Sequence, residues 1–317
     1  MNTYASSDLL DVIIVGAGPT GLSAALLLGR SRKHVLIIDS GKPRNAVSHA
    51  ANGFFSRDGI APSELLQLGR EQLHKYENVK FQSGKVMDVK PLGSSTPEKP
   101  DRFQVTLDTG EQFTARKLLL ATGVTDKLPA IAGFAELWGT SVFHCPYCHG
   151  WEVQDQPLAI YGKGAAGFEM AQHITGWSRD LILCSDGDAG LSDDQRNQLS
   201  DWGIKLREEK IDRLEQENGA LTGIVLATGE VIPRYGIFIH PQPHQHSELA
   251  KQLGCNLADN GAVEVGEDKQ TSVPGVYAAG DTTILLSSIS IVVAAGTMAG
   301  VFMNKALIAE NLAMQNH

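Results

Sequence analysis

The sequence is poor in positive charge: 27 Lys and Arg stand against 36 Asp and Glu among 317 residues, which gives a net charge of −9. Proteins that bind the phosphate backbone of nucleic acids need clustered Lys and Arg. This balance therefore excludes nucleic-acid binding as the main function. It fits a chain that meets small molecules or a protein partner.

We also expect that no apolar run of the sequence is long enough to span a bilayer. Its most apolar stretch, residues 284–301, is interrupted by serine, threonine and small residues, and this pattern predicts a buried helix. Residues 1–10 have neither a basic cluster nor an apolar core, so we expect no secretory signal. We predict a chain that lies in the cytoplasm and makes no membrane contact.

Cysteine is scarce as well, and the sequence contains only Cys145, Cys148, Cys184 and Cys255. A reducing cytoplasm disfavours structural disulfides, so we do not expect a fold held together by them. Cys184 follows an apolar run, which predicts a buried and inert thiol. Cys255 has no partner nearby in sequence.

A glycine-rich turn near the N-terminus has the full context of a nucleotide-binding βαβ unit. An apolar run leads into the turn, an Ala- and Leu-rich helix pattern follows, and a second apolar run ends in an aspartate. Glycines there allow backbone N–H groups to approach a pyrophosphate, and the aspartate can accept hydrogen bonds from ribose hydroxyls. The residues that we expect to bind a nucleotide are Gly16, Gly18, Pro19, Gly21 and Asp39.

A second glycine turn, with Gly162, Gly164 and Gly167, opens another βαβ pattern. The segment after its next strand is Ser185-Asp186-Gly187-Asp188, with no Lys or Arg where a 2′-phosphate would need one. Acidic side chains would repel that phosphate, so we expect no NADPH here. Binding of NADH, with Asp186 on its ribose, and a turn that binds no nucleotide both remain open.

The chemical centre is Cys145-Pro146-Tyr147-Cys148, a C-x-x-C that can cycle between dithiol and disulfide. His144 precedes it and His149 follows it, and histidine titrates near neutral pH, as a group that moves thiol protons must. The same string matches a c-type haem attachment pattern, which would need an exported chain. A zinc site and an inert structural pair are two further alternatives.

Three histidines close together, His240, His244 and His246, suggest a metal site at first sight. Prolines between them indicate an extended loop, and only Glu248 stands nearby as a further ligand. We favour a solvated loop and predict no metal, with a proton-relay role left open.

Four motifs in order resemble the low-molecular-weight, thioredoxin-reductase-like flavoproteins over nearly the whole chain. They are residues 16–21, Ala121-Thr122-Gly123, the C-x-x-C, and residues 274–281 ending in Gly280-Asp281. The resemblance implies an α/β fold with two Rossmann-like domains of the three-layer ββα type. It implies a discontinuous FAD domain over residues 1–121 and 246–317, a pyridine-nucleotide-type domain over residues 122–245 that carries the C-x-x-C, and a homodimer.

The resemblance also implies roles for individual residues. Ala121, Thr122, Gly123 and Gly280 would line the FAD site, and Asp281 would bond the ribityl chain. Cys148 would face the flavin ring, whereas Cys145 would attack the substrate disulfide.

The sequence departs from the NADPH-dependent members of that family at three places. His149 stands where they have an aspartate, residues 185–188 replace a basic motif, and Ile289-Ser290 replaces an Arg-Gln pair. Residues 39–45, 53–59 and 145–150 resemble a branch that includes dithiol oxidases of secondary metabolism, in which the histidine after the second cysteine resembles a general base. The catalytic residues expected from this resemblance are Cys145, Cys148 and His149.

We therefore predict an FAD-dependent thiol–disulfide oxidoreductase that does not use NADPH. Its substrate would be a thioredoxin-like protein or a small dithiol or disulfide, and its electron donor could be a protein such as ferredoxin. Three alternatives stay open: a dithiol oxidase that passes electrons to oxygen, an NADH-dependent disulfide reductase, and a non-catalytic redox sensor.

Overall fold

The computed structural model describes residues 4–5, 8–93, 102–284 and 287–315. Residues 91–100 are rich in Gly, Ser and Pro, which predicts a hairpin-type loop, and most of this segment lies outside these ranges. The chain divides into two units. The first comprises Met1–Ala46, Phe54–Thr125 and His244–His317, and the second comprises Val47–Gly53 and Asp126–Pro243. The domain ranges predicted from the sequence differ from these units mainly because they assign residues 47–53 to the FAD domain, which corresponds to the first unit.

The strands of the described residues are, in chain order, β1 (Leu9–Val15), β2 (Val35–Asp39), β3 (Val79–Ser83), β4 (Val86–Pro91), β5 (Phe103–Leu107), β6 (Gln112–Leu120), β7 (Val124–Lys127), β8 (Val142–Phe143), β9 (Leu158–Tyr161), β10 (Leu181–Cys184), β11 (Lys205–Arg207), β12 (Ile211–Glu217), β13 (Ala220–Leu226), β14 (Val231–Pro233), β15 (Gly236–Ile239), β16 (Gln242–Gln245) and β17 (Val276–Ala278).

The α-helices of the same residues are α1 (Pro19–Arg30), α2 (Pro62–Leu73), α3 (Pro146–His149), α4 (Gly164–Ile174), α5 (Asp193–Asp201), α6 (Leu249–Gln252) and α7 (Ile289–Gln315). Short 3₁₀ turns cover Arg44–Val47 and Gly280–Thr282.

The first unit is built on a sheet in the order β3-β2-β1-β6-β5-β4, with β17 also paired to β6. Strands β3, β2, β1, β6 and β17 are parallel, whereas β5 and β4 pair antiparallel. The first half of strand β6 pairs with β5, and its second half pairs with β17 along the same edge. The alternating sequence of residues 80–89 predicts one strand, whereas the structure has two, because the chain turns at Gly84, whose φ is +150°.

Valine, isoleucine and leucine runs make the central strands buried on both faces, as parallel strands require. One face packs on α1 and α7, and the other packs on β4, β5 and α6. Helix α1 begins at Pro19 after an extended Gly18, because proline at the first helical position needs no intrahelical N–H partner. These features place the glycine turn at the carboxyl ends of the parallel strands.

Helix α7 lies against α1 at very short range. A Cβ atom on Gly296 would come within 2.1 Å of the Thr20 carbonyl oxygen, so only glycine permits this packing. Ser23 Oγ donates a hydrogen bond to the carbonyl oxygen of Val293 at 2.9 Å, which ties the two helices together.

Helix α7 is also long and apolar enough, by length and composition, to cross a membrane, so the expectation that no run reaches this length is wrong. The same test is passed by core helices, and the Ala295, Ala299 and Met303 positions of α7 are buried in the core that α1 shares. This packing is that of a core helix.

The second unit has three layers. A parallel sheet in the order β11-β10-β9-β15-β8 forms the middle layer. Helices α4 and α5 supply the core on one face, and the antiparallel strands β12, β13 and β14 supply the core on the other. This is the ββα arrangement predicted from the resemblance, and the two Rossmann-like units confirm the predicted fold class.

The packing of α7 on α1 predicts that Gly296→Ala lowers the free energy of unfolding by about 1–3 kcal/mol, because the added methyl group overlaps the α1 backbone. Alanine is otherwise the better helix former, so a loss would report the close contact. Thermal unfolding with saturating FAD measures the change. Met298→Ala, at an exposed position of the same helix, is the control, and equal effects of the two variants would contradict the packing argument.

Candidate active site

The first glycine turn is closed on its flanks and open at its centre. A Cβ on Gly16 would lie 2.3 Å from the Ala121 carbonyl oxygen, and one on Gly21 would lie 1.9 Å from the Gly16 carbonyl oxygen. Around Gly18, no heavy atom of the described residues other than its two chain neighbours comes within 4 Å of the corresponding point. The N-terminus of the twelve-residue helix α1 faces this opening. The turn therefore fits the pyrophosphate of a dinucleotide.

Asp39 stands at the end of β2 and is fixed against the same turn. Its Oδ1 accepts a hydrogen bond from the Ala17 N–H at 3.0 Å, and its Oδ2 pairs with Arg70 at 2.8 Å. A carboxylate has about four acceptor positions, so capacity for a ribose hydroxyl remains. Sequence reasoning missed Arg70, which reaches Asp39 from helix α2 with no local signal.

The remaining predicted cofactor residues meet beside this turn. A Cβ on Gly280, whose φ is +77°, would lie 2.3 Å from Thr20 Oγ1. The Gly123 N–H donates to Thr282 Oγ1 at 2.9 Å, which joins Ala121-Thr122-Gly123 to Gly280-Asp281. Asp281 itself pairs with Arg44 at 2.9 Å. The first unit thus brings together every residue that the sequence predicted for the cofactor, and the donor set fits FAD.

In the second unit, Cys145 and Cys148 form a disulfide across the first turn of α3. The backbone N–H groups of Cys148 and His149 donate to the Cys145 carbonyl oxygen at 3.1 and 3.2 Å. Asn52 Nδ2 donates to the Cys148 carbonyl oxygen at 2.9 Å. This contact ties residues 47–53 to the redox turn within the second unit, and nothing in the local sequence around Asn52 predicted it.

His149 is held in place by an aromatic stack. Its ring lies on Phe143, with ring centroids 4.7 Å apart and planes 20° from parallel. Nδ1 is buried and has no hydrogen-bond partner among the described residues. Burial lowers the pKa of His149 below its usual 6.5, while the Glu152 carboxylate and the Cys145 carbonyl partly oppose this. The imidazole is therefore neutral at neutral pH and able to accept a proton.

An aromatic cluster surrounds Tyr147, the residue between the two cysteines and 69% exposed. Its hydroxyl lies 2.9 Å from His173 Nε2, and its ring meets Trp177 edge to face at 5.4 Å. The phenol is therefore fixed although it faces solvent. His173 and Trp177 lie on or just after α4, and the sequence gave no signal that they would join the redox segment.

In the second glycine turn the chain itself uses one backbone donor and the acidic side chain, and we call the turn closed in that sense. Gly164, like Gly18, has no heavy atom of the described residues within 4 Å of its Cβ position other than its chain neighbours and its own helix. The Gly164 N–H, at the start of α4, donates to the Ala189 carbonyl oxygen at 2.7 Å. Asp186, whose φ is +52°, points its carboxylate at the Ile211 N–H, 2.9 Å away, at the start of β12. A bound dinucleotide would place its pyrophosphate at this helix N-terminus and its ribose at this carboxylate. Both groups are hydrogen-bonded within the chain instead.

The closing loop is firmly held. The Ala189 N–H donates to Glu208 Oε1 at 2.9 Å, and Arg196 forms two hydrogen bonds to the same carboxylate at 2.8 and 2.9 Å. The guanidinium of Arg196, helped by that N–H, lowers the pKa of Glu208 to about 2. Glu208 therefore stays ionised, and the loop stays anchored, over the physiological pH range.

Two basic side chains reach this turn from outside the segment that follows β10. Lys163 and Lys210 donate to the Asp186 carbonyl oxygen at 3.1 and 2.8 Å. Lys163 is part of the turn, and Lys210 arrives 24 residues after Asp186, so neither occupies the position at which the sequence motif places a basic residue.

The three clustered histidines do not converge. His240, His244 and His246 are all exposed, and His246 Nδ1 lies 3.0 Å from the Thr125 hydroxyl. Within residues 4–5, 8–93, 102–284 and 287–315, no group of three His, Cys, Asp or Glu side chains could hold a metal ion.

The two other cysteines are buried. Burial raises the pKa of the Cys184 thiol to about 12, as expected for an inert thiol. Burial also raises the pKa of Cys255, whose Sγ donates to Thr271 Oγ1 at 3.5 Å.

These environments predict selective alkylation. After reduction, iodoacetamide should modify Cys145 and Cys148 in the folded protein and leave Cys184 and Cys255 unmodified, because only a thiolate reacts at an appreciable rate. Peptide mass spectrometry measures the modification at each cysteine, and the same reaction in denaturant is the control that all four can react. Modification of Cys184 before Cys145 would contradict the burial argument.

Comparison with known proteins agrees with this site. The pyridine nucleotide-disulphide oxidoreductase family matches residues 10–299. Thioredoxin reductase tcpT of Claviceps purpurea is 32% identical, with 96% of each chain covered, and thioredoxin reductase sirT of Leptosphaeria maculans is 29% identical, with 98% of each chain covered.

Two solved structures are similar over the whole chain. The crystal structure of HlmI is 36% identical with a TM-score of 0.93, over 99% of this chain and 98% of that one. The putative thioredoxin reductase TrxB from Bacillus anthracis is 33% identical with a TM-score of 0.89, over 94% of this chain and 99% of that one. The chain belongs to the pyridine nucleotide-disulphide oxidoreductase family and is a thioredoxin-reductase-like, FAD-dependent disulfide oxidoreductase.

Proposed function

We propose that this flavoenzyme exchanges dithiols and disulfides at Cys145 and Cys148 without taking electrons from a nicotinamide nucleotide. The observation that carries the proposal is the closed second glycine turn, in which the Ala189 carbonyl oxygen accepts the Gly164 N–H at 2.7 Å. Binding a dinucleotide there would break this hydrogen bond and displace the loop that Glu208 and Arg196 anchor.

The two glycine turns of the same chain make an internal comparison. In the first, Asp39 bonds back to the N–H of Ala17 inside the turn, which keeps the carboxylate beside the nucleotide position. In the second, Asp186 bonds to the N–H of Ile211 on a different strand. Both turns have the glycine spacing, but only the first has the acidic group where a ribose needs it. This difference supports FAD in the first unit and no nicotinamide in the second.

The residues of the first glycine turn and two aspartates of the cofactor site have proposed roles. Gly16, Gly18, Pro19 and Gly21 present backbone to the pyrophosphate, Asp39 accepts from ribose, and Asp281 accepts from the ribityl chain. Bound FAD supplies the two-electron acceptor that returns the cysteine pair to its disulfide. Cys148 is the cysteine proposed to exchange electrons with it, and Cys145 is the one proposed to meet the substrate.

In the oxidising direction, a substrate dithiol is converted to a disulfide in two thiol–disulfide exchange steps. A substrate thiolate attacks Cys145 Sγ, which forms a mixed disulfide and breaks the Cys145–Cys148 bond. The second substrate thiol attacks the substrate sulfur of that mixed disulfide, so the substrate closes its own disulfide and Cys145 leaves as a thiolate. The substrate has lost two electrons to the cysteine pair and two protons. One proton leaves to solvent when the first substrate thiol ionises, and the neutral, buried imidazole of His149 is the proposed acceptor of the other.

Dithiol oxidation is the direction that the structure favours. A closed nicotinamide turn leaves the chain without a built-in reductant, whereas oxygen can take the electrons of a small dithiol. The relatives named thioredoxin reductase favour the second candidate, reduction of a thioredoxin-like protein. That direction requires an electron donor other than a nicotinamide, and ferredoxin is one such donor.

The proposal predicts that NADPH and NADH do not bleach the flavin absorbance of the anaerobic holoenzyme, whereas dithiothreitol bleaches it through the cysteine pair. Cys148→Ser should keep FAD bound and lose the rapid bleaching by dithiothreitol, because one sulfur cannot form the intramolecular disulfide. Flavin absorbance in separate anaerobic cuvettes measures each case.

Rapid bleaching by NADPH or NADH would overturn the argument from the closed turn. Rapid bleaching of the Cys148→Ser protein by dithiothreitol would overturn the role of the pair. Under air, turnover of a dithiol with formation of hydrogen peroxide would favour the oxidase over the reductase.

The environment of His149 predicts a pH dependence. Dithiol turnover should fall as pH drops through the pKa of His149, which lies below 6.5, because the protonated imidazole no longer accepts a proton. His149→Ala should slow turnover by about 10²–10⁴-fold and remove that acidic limb. The pH profile of kcat/KM measures both effects. His240→Ala, at an exposed histidine of the same unit, is the control, and an unchanged acidic limb in His149→Ala would assign the proton to another group.

A further inference from the structure

The side-chain amide of Gln245 has an orientation that its neighbours dictate. Nε2 donates to two backbone carbonyl oxygens, of Gly261 at 2.9 Å and of Thr282 at 3.0 Å. Both N–H donors of the amide are therefore used, and flipping the group would face its oxygen with two acceptors. The remaining atom, Oε1, is buried and has no hydrogen-bond partner among the described residues.

This unpaired oxygen belongs to the network that joins the cofactor segments. Thr282, whose carbonyl oxygen holds the Gln245 amide, receives the Gly123 N–H on its Oγ1 at 2.9 Å. The next residue after Gln245, His246, donates its N–H to the Gly123 carbonyl oxygen at 3.1 Å. Gln245 is thus hydrogen-bonded to Thr282, the residue after Asp281, and Thr282 is in turn hydrogen-bonded to Gly123. None of the motifs in the sequence includes it.

A buried acceptor without a donor is rare in folded proteins, because burial removes water without a replacement. FAD carries donors of the kind required, namely the ribityl hydroxyl groups and the N3–H of the flavin ring. We propose that Gln245 Oε1 accepts a hydrogen bond from the flavin–ribityl portion of bound FAD. The inference rests on the cofactor segments assigned under the proposed function.

The test is a titration of apoprotein, prepared from the full-length chain, with FAD and with analogues that each lack one donor: 3-methyl-FAD and the 2′-, 3′- and 4′-deoxy forms of FAD. Flavin fluorescence gives the Kd in each case. In the wild-type protein, each analogue that lacks a bonded donor, including the ribityl hydroxyl that bonds Asp281, should bind about 10-fold more weakly than FAD. The analogue whose deficit depends on Gln245 identifies the donor to Oε1.

In Gln245→Met, FAD should bind about 10-fold more weakly, and the preference for FAD over that same analogue should disappear. Gln242→Met, at an exposed position on the same strand β16, should leave every Kd unchanged. If the wild-type protein binds all analogues as tightly as FAD, or if Gln245→Met keeps every preference, then water occupies Oε1 and the inference is overturned.

Asp281→Asn separates this inference from the assignment of the site. If Asp281→Asn weakens FAD binding while Gln245→Met keeps every preference, only the role of Gln245 fails. If neither substitution changes the Kd of FAD, the cofactor segments themselves are wrongly assigned.

Discussion

The first unit depends on a point at which three segments meet around Thr20. Gly280 approaches the Thr20 side chain, and Gly296 approaches its carbonyl oxygen, at distances that no Cβ atom would allow. Thr20 lies in the first turn of α1, directly after the glycine turn that the cofactor requires. The long helix α7 and the turn at Gly280-Asp281 can therefore reach the nucleotide-binding turn only because two distant positions have no side chain. The same close contacts at Thr20 therefore fix both the segments that line the cofactor site and the packing of the core in this unit.

The parts of the molecule that could be predicted from sequence are those fixed by short-range signals. The run before Gly16, the helix after Pro19 and the acidic end of the next strand lie within one βαβ unit, and the structure has them at those positions. The C-x-x-C pair forms its disulfide because three-residue spacing brings the two sulfurs within reach on one helical turn. The burial of Cys184 followed from the apolar strand that carries it.

Contacts between distant segments could not be predicted in this way. The closure of the second turn depends on an Ala189 carbonyl oxygen and on an Asp186 carboxylate turned towards Ile211, and neither leaves a trace in residue spacing. The sequence left NADH binding open at this turn because an aspartate looks the same whether it faces a ribose or a backbone amide. The sequence also could not predict the stacking of Phe143 on His149 or the ion pair between Arg70 and Asp39, because these partners lie far apart in the sequence or leave no pattern in it.

The short excursion Val47–Gly53 has a consequence for how this protein can be divided. The chain enters the second unit there, places Asn52 on the carbonyl oxygen of Cys148, and returns to the first unit at Phe54. The redox turn is thus not encoded by one continuous piece of sequence. A fragment spanning residues 126–243 would carry both cysteines and His149 but would lack the donor for Cys148. Any chimaera that exchanges the second unit between relatives must therefore carry residues 47–53 with it.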